Sequence, residues 1–207
     1  RELRPRAFGV HRRNVFLTRT ARTFPPGAIL FAEDGNARRA PAVHGVPMKP
    51  INPTRRALLD AVDRVRDVVT RGADDAEGLR TLPAATVTAL RDSGLLGLKL
   101  PAVLGGAEAD PVTQMDVIEA LAAIDPSAGW CLMVGATTPA LPGVFLAEEP
   151  LRVMFRAGIA PLAAGCYMPT GQAVATHGGY RITGRWAFAS GIRHAEWVSG
   201  SAWVVND

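Results

Sequence analysis

The sequence predicts an α+β protein in which a helical region precedes a β region. Apolar residues recur every three to four positions from Thr54 to about residue 155, as in amphipathic helices. After Ala160 the period changes to two, which is typical of strands. We therefore divide the chain into a leader (residues 1–47), a helical N-terminal domain (residues 48–160) and a β domain (residues 161–207).

The first helix is predicted to begin after Thr54, where a single apolar stripe recurs at i, i+4, i+7 and i+11: Leu58, Val62, Val65 and Val69. A second helix is predicted from Pro83 to about Ser93, ending before Gly94 and packing Val87 and Leu90 inward. The apolar residues 95–104 then predict a short buried connection.

Two aspartate-proline pairs predict the next helix starts. Asp110 and Asp125 are suited to the N-cap, and the proline that follows each is suited to the first helical position. The helix after Asp110 has a broad predicted apolar face, made of Met115, Val117, Ile118, Leu121, Ala122 and Ile124. Another short helix is predicted to follow Pro150, with three inward residues: Leu151, Met154 and Phe155.

The β region carries the most informative stretch of the chain, residues 177–197. Gly178-Gly179 predicts a tight turn, and the following residues alternate. One face of the predicted strand holds Tyr180, Ile182, Trp186 and Phe188, and the other holds Arg181, Thr183 and Arg185. The alternation stops at Ala189-Ser190-Gly191, where small residues let the backbone approach a flat ligand. A plain turn is the alternative interpretation.

Charge is distributed unevenly along the chain. The leader holds nine arginines, no lysine and three acidic residues, whereas residues 48–207 are slightly acidic. This balance removes the electrostatic basis for nucleic-acid binding outside the leader. Three interpretations of the leader stay open: a disordered arm, a basic tail that contacts nucleic acid or membrane, and translated sequence ahead of a start at Met48.

Several other classes of protein are disfavoured by composition. Cys131 and Cys166 are too few for a disulfide framework or a cysteine-rich zinc site, which suits a reducing cytoplasm. The four histidines lack metal-ligand spacing, so we predict no metal. Residues 126–147 carry no charge, but their prolines and glycines predict a buried helix and loop, so we predict no membrane span.

Several motifs together resemble the flavin-dependent monooxygenases of the acyl-CoA dehydrogenase fold. Members include the oxygenase components of 4-hydroxyphenylacetate and secosteroid-phenol hydroxylases, and the dibenzothiophene monooxygenases. The β region resembles their middle domain through Pro169–Ala173, Gly184–Gly191 and His194–Trp197, and the helical region resembles their N-terminal domain through Leu95–Leu98 and Glu119–Trp130. The resemblance covers about residues 54–207. It implies the start of a β-sandwich or barrel, with a C-terminal four-helix bundle missing, so that the sequence is roughly half of an enzyme and inactive alone.

The resemblance also implies a flavin site. Ala189, Ser190 and Gly191 would border the flavin ring, with Ser190 as the catalytic residue that hydrogen-bonds N5. Phe188 would lie where acyl-CoA dehydrogenases often have a tryptophan against the ring, or it would pack in the core. Trp130 would reach the flavin and substrate pocket, or serve as an ordinary core aromatic.

The remaining implied contacts come from two other segments. Cys166, Tyr167 and Met168 would supply further flavin contacts, although relatives often have serine at the first of these positions, and a buried inert cysteine is the alternative. Thr137 and Thr138 stand where some relatives have a histidine that contacts a phenolic substrate, so they are candidate substrate contacts.

The activity implied is that of the oxygenase component of a two-component monooxygenase. It would take reduced FMN or FAD from a separate flavin reductase and use O2 to hydroxylate an aromatic, polyketide or sulfur-containing small molecule. The family commonly forms homo-oligomers through the C-terminal bundle. The alternatives are an acyl-CoA dehydrogenase that uses FAD for α,β-desaturation, and a non-catalytic binding module with a basic N-terminal arm. Residues 167–171 lack the Thr-Glu-Pro run of the dehydrogenases, which favours the monooxygenase.

Overall fold

The computed structural model describes residues 11–18, 29–31, 53–146, 148–155, 158–176 and 179–205. The helical part contains α1 (Arg55–Leu79), α2 (Ala84–Asp92), α3 (Pro111–Ala122), α4 (Pro126–Phe145) and α5 (Glu148–Met154). Two short 3-10 helices, Leu95–Gly97 and Ala102–Leu104, join α2 to α3. The predicted helical region and its buried connection are therefore both present.

The helix starts follow the capping signals in the sequence. The Thr54 hydroxyl accepts the backbone N–H of Ala57 at the start of α1. Asp110 caps α3 and Asp125 caps α4, each by accepting two backbone N–H groups, and a proline holds the first helical position in both. Gly94 takes a left-handed conformation (φ 79°) just beyond α2, which confirms the predicted stop.

The helical core is formed by the predicted stripe of α1 and its neighbours. Leu58, Val62, Val65 and Val69 are buried and pack with Val87 and Leu90 of α2. Val117 and Leu121 of α3 join this cluster, but Met115 is 71% exposed. Met115 lies about half a turn away from the buried face of α3, so the predicted apolar face was too broad. A second cluster includes the predicted trio Leu151, Met154 and Phe155, although α5 begins at Glu148, ahead of Pro150.

The sheet has five strands in the order β2-β1-β5-β3-β4. These strands are β1 (His11–Thr18), β2 (Ile29–Phe31), β3 (Ala163–Thr176), β4 (Gly179–Thr183) and β5 (Trp197–Val205). β3 pairs antiparallel with β4 and parallel with β5, and its register with β5 shifts between Cys166 and Gly171. No helix in the described part of the chain is long and apolar enough to cross a membrane.

The N-terminal strands were not anticipated from the sequence. The leader was predicted to lie outside the fold, whereas β1 pairs antiparallel with β5 along all eight of its residues. Without β1, β5 would lie at the edge of the sheet with unpaired backbone groups. Backbone pairing of this kind can be made by any extended segment, so the sequence of the leader does not reveal it. The rest of residues 1–47 lies outside the described residues, and the domain boundaries remain predictions.

The predicted alternation in the β region holds only in part. Tyr180, Ile182 and Trp186 pack against Ala173 and Ala202 of the sheet, as predicted. The Trp186 ring lies over the sheet, and its Nε1 donates to the backbone oxygen of Ser201 at 2.8 Å. The strand ends at Thr183, however, and Phe188 is 95% exposed. The prediction that Phe188 shares the packed face is therefore wrong, because the chain has already left the sheet.

Candidate active site

The candidate site lies where the turn that precedes β5 meets the helical part. Backbone bonds from Ile192 to Ala189 and from His194 to Gly191 shape this turn, hereafter the Ser190 turn (residues 189–196). Gly191 has a positive φ of 81°, and a Cβ there would lie 3.1 Å from the His194 Nε2 atom. Both features favour glycine, which explains the small-residue corner seen in the sequence.

Three side-chain contacts attach the Ser190 turn to the helices. The Trp130 Nε1 atom of α4 donates to the Ser190 Oγ atom at 3.0 Å. Arg193 donates to the backbone oxygen of Leu79, the last residue of α1, at 3.1 Å. Arg91 of α2 forms an ion pair with Glu196, with an N–O distance of 2.9 Å. The position of Ser190 is therefore set by three separate helices as well as by the sheet.

Trp130 is held in place by the first turn of α4. Asp125 accepts the backbone N–H groups of Ser127 and Ala128 at 3.2 and 2.9 Å, which fixes the start of the helix. Gly129 lets α4 approach α3 closely, because a Cβ there would lie 2.7 Å from the Ala122 Cα atom. The neighbouring Trp130 is 56% exposed, so its ring is available to a ligand.

A cleft of about 600 Å³ opens beside the Trp130–Ser190 hydrogen bond. Its volume is in the range of small-molecule sites. Four of the predicted flavin contacts line it together: Trp130, Ala189, Ser190 and Gly191. The other lining residues come from α1 and its following loop, from the start of α4, and from the rest of the Ser190 turn: Ala76, Glu77, Arg80, Thr81, Leu82, Pro126, Ser127, Cys131, Ile192, Arg193 and His194.

The other predicted flavin contacts do not line this cleft. Cys166 is half-buried on β3, while Tyr167 and Met168 are 41% and 68% exposed next to the register shift. Phe188 has a left-handed backbone (φ 59°), an uncommon state for an aromatic residue. Cys166, Tyr167 and Met168 belong to β3, and Phe188 directly precedes the Ser190 turn. The flavin contacts of these four residues remain predictions.

Thr137 and Thr138 lie two turns further along α4 and do not line the cleft. The Thr137 hydroxyl donates to the Met133 carbonyl and accepts from the Lys99 ammonium, both at 2.7 Å. Thr138 is 1% exposed and donates to the Val134 carbonyl at 3.0 Å. Both hydroxyls are thus used within the protein, and substrate contact by either threonine remains a prediction.

Two cleft residues were not identified from the sequence as part of the site. His194 lies in the Ser190 turn and lines the cleft, and burial lowers the pKa of its imidazole. Its Nδ1 atom is buried without a hydrogen-bond partner in the described structure. Cys131 also lines the cleft, and burial, together with the Asp125 charge, raises the pKa of its thiol. The structure identifies these two residues by their position in the cleft beside Ser190, and no motif in the sequence indicates that position.

The cleft combines an exposed indole ring, a hydroxyl and a glycine-lined backbone. The Ser190 oxygen accepts one hydrogen bond from Trp130, which leaves its O–H and a second lone pair for a ligand. His194 and Cys131 are uncharged near neutral pH, since the pKa shifts favour their neutral forms. Such a site suits a flat ring with a polar edge. Within the described residues no group of three or more histidines, cysteines and acids could hold a metal ion.

Comparisons with known proteins point to one enzyme superfamily. Residues 52–145 match the acyl-CoA dehydrogenase N-terminal domain family. The chain is 34% identical to a pigment production hydroxylase from Rhodococcus sp. (strain ATCC 21145), over 74% of this chain and 40% of that protein. It is 31% identical to the oxygenase component of an FADH(2)-dependent resorcinol hydroxylase from Rhizobium sp. (strain MTP-10005), over 68% of this chain and 34% of that protein.

Solved structures give the same result. The HsaA monooxygenase from M. tuberculosis matches with a TM-score of 0.66 and 29% identity, over 75% of this chain and 41% of that one. XiaF from Streptomyces sp., solved in complex with FADH2 and glycerol, matches with a TM-score of 0.63 and 30% identity, over 73% of this chain and 38% of that one. The chain thus spans about 40% of the length of the proteins it matches.

Proposed function

This chain has the fold of the N-terminal part of the acyl-CoA dehydrogenase-like flavin-dependent monooxygenases, and from that premise we propose that it forms part of an oxygenase component. The complete protein takes reduced flavin, as FMN or FAD, from a separate reductase and uses O2 to hydroxylate an aromatic small molecule. The same proposal includes assembly as a homo-oligomer and a cytoplasmic location. Relatives named as resorcinol hydroxylase and indole-3-acetate monooxygenase support the aromatic substrate class.

The observation that carries the proposal is the Trp130–Ser190 hydrogen bond at the edge of the cleft. The bond joins an exposed aromatic ring to a hydroxyl that keeps hydrogen-bonding capacity. The flat ring and polar N5 edge of a flavin fit this pair of groups, and Gly191 removes the side chain that would obstruct the ring. Reduced flavin supplies the electrons for oxygen activation when it is bound.

The chain's own residues have distinct roles in this proposal. Ser190 holds the proton at the flavin N5 position, because its free lone pair can accept that N–H. Trp130 orients the Ser190 hydroxyl by donating to it, and its ring excludes water from one side of the site. His194, whose lowered pKa keeps it neutral, adds no charge beside the ring. Exclusion of water around N5 strengthens the hydrogen bond that Ser190 makes there.

The proposal is tested with the complete protein, a flavin reductase and a panel of phenols and indoles. We expect an oxygen atom from isotopically labelled O2 to appear in a hydroxylated aromatic product. FMN and FAD are supplied in separate reactions to show which flavin supports the activity. Ser127→Ala is the matched control for a Ser190→Ala variant, because Ser127 lines the same cleft and, among the described residues, is bonded through its backbone N–H and not through its hydroxyl. Desaturation of an acyl-CoA without oxygen incorporation would instead establish a dehydrogenase, and the absence of flavin binding would leave a non-catalytic binding module.

A further inference from the structure

Two arginines line the candidate cleft without serving the proposed flavin contacts. Arg80 follows α1, and Arg193 belongs to the Ser190 turn. Arg193 donates to the Leu79 carbonyl at 3.1 Å, which places its guanidinium at the C-terminal end of α1 beside Arg80. The two cationic groups therefore approach one wall of the cleft from elements that are far apart in the sequence.

Neither guanidinium is neutralised within the described part of the chain. Arg91 pairs with Glu196, and Arg55, Arg56 and Arg66 each pair with an aspartate, but Arg80 and Arg193 form no ion pair there. Glu77 is the one acidic residue among those that line the cleft, so the lining carries a formal charge of +1. Arg193 uses one N–H for Leu79 and keeps further donors.

The backbone holds Arg80 at this wall in an uncommon conformation. Its φ of 54° lies in the left-handed region, where helix ends usually have glycine or asparagine. Its N–H bonds the Ala76 and Glu77 carbonyls and closes α1. The start of the Arg80 side chain is therefore fixed relative to Trp130 and Ser190, although the guanidinium itself is exposed.

We propose that Arg80 and Arg193 bind an anionic group, a carboxylate or a phosphate, of a ligand that occupies the cleft. Paired guanidinium groups recognise both anions through charge-assisted hydrogen bonds. The inference rests on the proposed function, which supplies two sources for the anion: the flavin phosphate and the carboxylate of an aromatic acid. It divides the cleft into a ring-binding part at Trp130 and Ser190 and an anion-binding part at the two arginines.

The test compares charged and uncharged members of two ligand pairs by NMR titration of the 207-residue chain at millimolar ligand. One pair is reduced FMN and reduced riboflavin, which share a ring and differ in the phosphate. The other is indole-3-acetate and indole-3-acetamide. We expect Arg80→Gln to weaken binding of the charged member of one pair by roughly fivefold and to leave its uncharged partner unchanged.

Arg64→Gln is the matched control, because Arg64 is an exposed arginine of α1 that does not line the cleft. Arg64→Gln makes the same change in net charge. In each ligand pair it should leave the ratio of the affinities for the charged and the uncharged member unchanged. The pair whose ratio falls identifies the source of the anion. Equal effects of Arg80→Gln and Arg64→Gln, with ring binding retained, would overturn the anion site alone. Failure of both flavins and both indoles to bind the unmodified chain would overturn the anion site in this chain, whereas the proposed function is decided by its own test in the complete protein.

Discussion

The indole N–H of Trp130 donates to the hydroxyl oxygen of Ser190 across a 3.0 Å distance, although 60 positions separate the two residues in the chain. One residue belongs to a helix and the other to the turn that leads into β5. The bond therefore connects the helical part to the β part at the candidate site. Because it takes one lone pair of Ser190, it also restricts how that hydroxyl can be used by a ligand.

We predict that Ser190→Ala in the complete protein raises the fraction of flavin oxidation events in which O2 is reduced to hydrogen peroxide and no product is hydroxylated. The substitution removes one hydroxyl without adding volume, and a hydrogen bond of about 0.5–1.5 kcal/mol corresponds to roughly a fivefold change in rate. Unfolding free energy should change by less than about 1 kcal/mol, because the bonded Trp130 is half exposed. Product and peroxide per flavin oxidised are the quantities to measure.

Trp130→Phe is the companion variant, since it keeps an aromatic ring and removes the donor. It should produce a smaller effect of the same sign, because Ser190 keeps its hydroxyl and loses only its orientation. Ser127→Ala should behave as the unmodified protein. Unchanged coupling of product to flavin oxidation in Ser190→Ala would remove Ser190 from the reaction and return its turn to a purely structural role.

Most of the helical part could be predicted from the sequence because its signals are local. The side chains of Thr54, Asp110 and Asp125 cap the helices that follow them, and Gly94 ends a helix through its backbone conformation. Each signal acts within about one turn of helix. The buried stripe of α1 is likewise visible as a period in the sequence.

The site could be predicted only in part because its contacts are not local. The motif around Ser190 and the tryptophan at position 130 could be identified by resemblance, but their hydrogen bond depends on how the two parts of the chain pack. No periodic pattern in the sequence indicates that β3 pairs in parallel with β5. The alternation of the sequence continues to Phe188, but the backbone pairing of β4 ends at Thr183. The pattern alone therefore placed Phe188 in the sheet.

The ion pair between Arg91 and Glu196 should stabilise the attachment of the Ser190 turn. We predict a coupling free energy of up to about 1 kcal/mol in a double-mutant cycle with Arg91→Ala and Glu196→Ala, measured by urea unfolding. The control cycle uses Arg56 and Asp60, an exposed pair within α1, which should couple by only about 0.3–0.5 kcal/mol. Equal coupling in both cycles would show that the Arg91–Glu196 pair adds nothing specific.

Gly129 should be needed for the close packing of α3 and α4. In Gly129→Ala the new methyl would lie 2.5 Å from the Ala122 Cβ atom, so the helices must separate. We predict a loss of about 1–3 kcal/mol in the free energy of unfolding. Gly78→Ala is the matched control, because no atom lies within 4 Å of its Cβ position in α1, and it should stabilise the protein by about 0.5–1 kcal/mol. A neutral Gly129→Ala would contradict the observed packing.

Burial of His194 should make the stability of the fold sensitive to mild acid. Burial lowers the pKa of its imidazole below the ordinary value of 6.5, so the unfolded chain binds the proton more readily than the folded one. The stabilising effect of a neutral His194 is therefore complete above the unfolded pKa and is lost as the pH falls from there toward the lower folded pKa.

Glutamine has a similar size and does not titrate, so His194→Gln removes this contribution at every pH. We predict that urea unfolding midpoints measured from about pH 8 to about pH 5 decrease more steeply for the unmodified chain than for His194→Gln. Parallel pH profiles for the two proteins would show that the His194 side chain is solvated in the folded state and that its unpartnered Nδ1 atom is in contact with water.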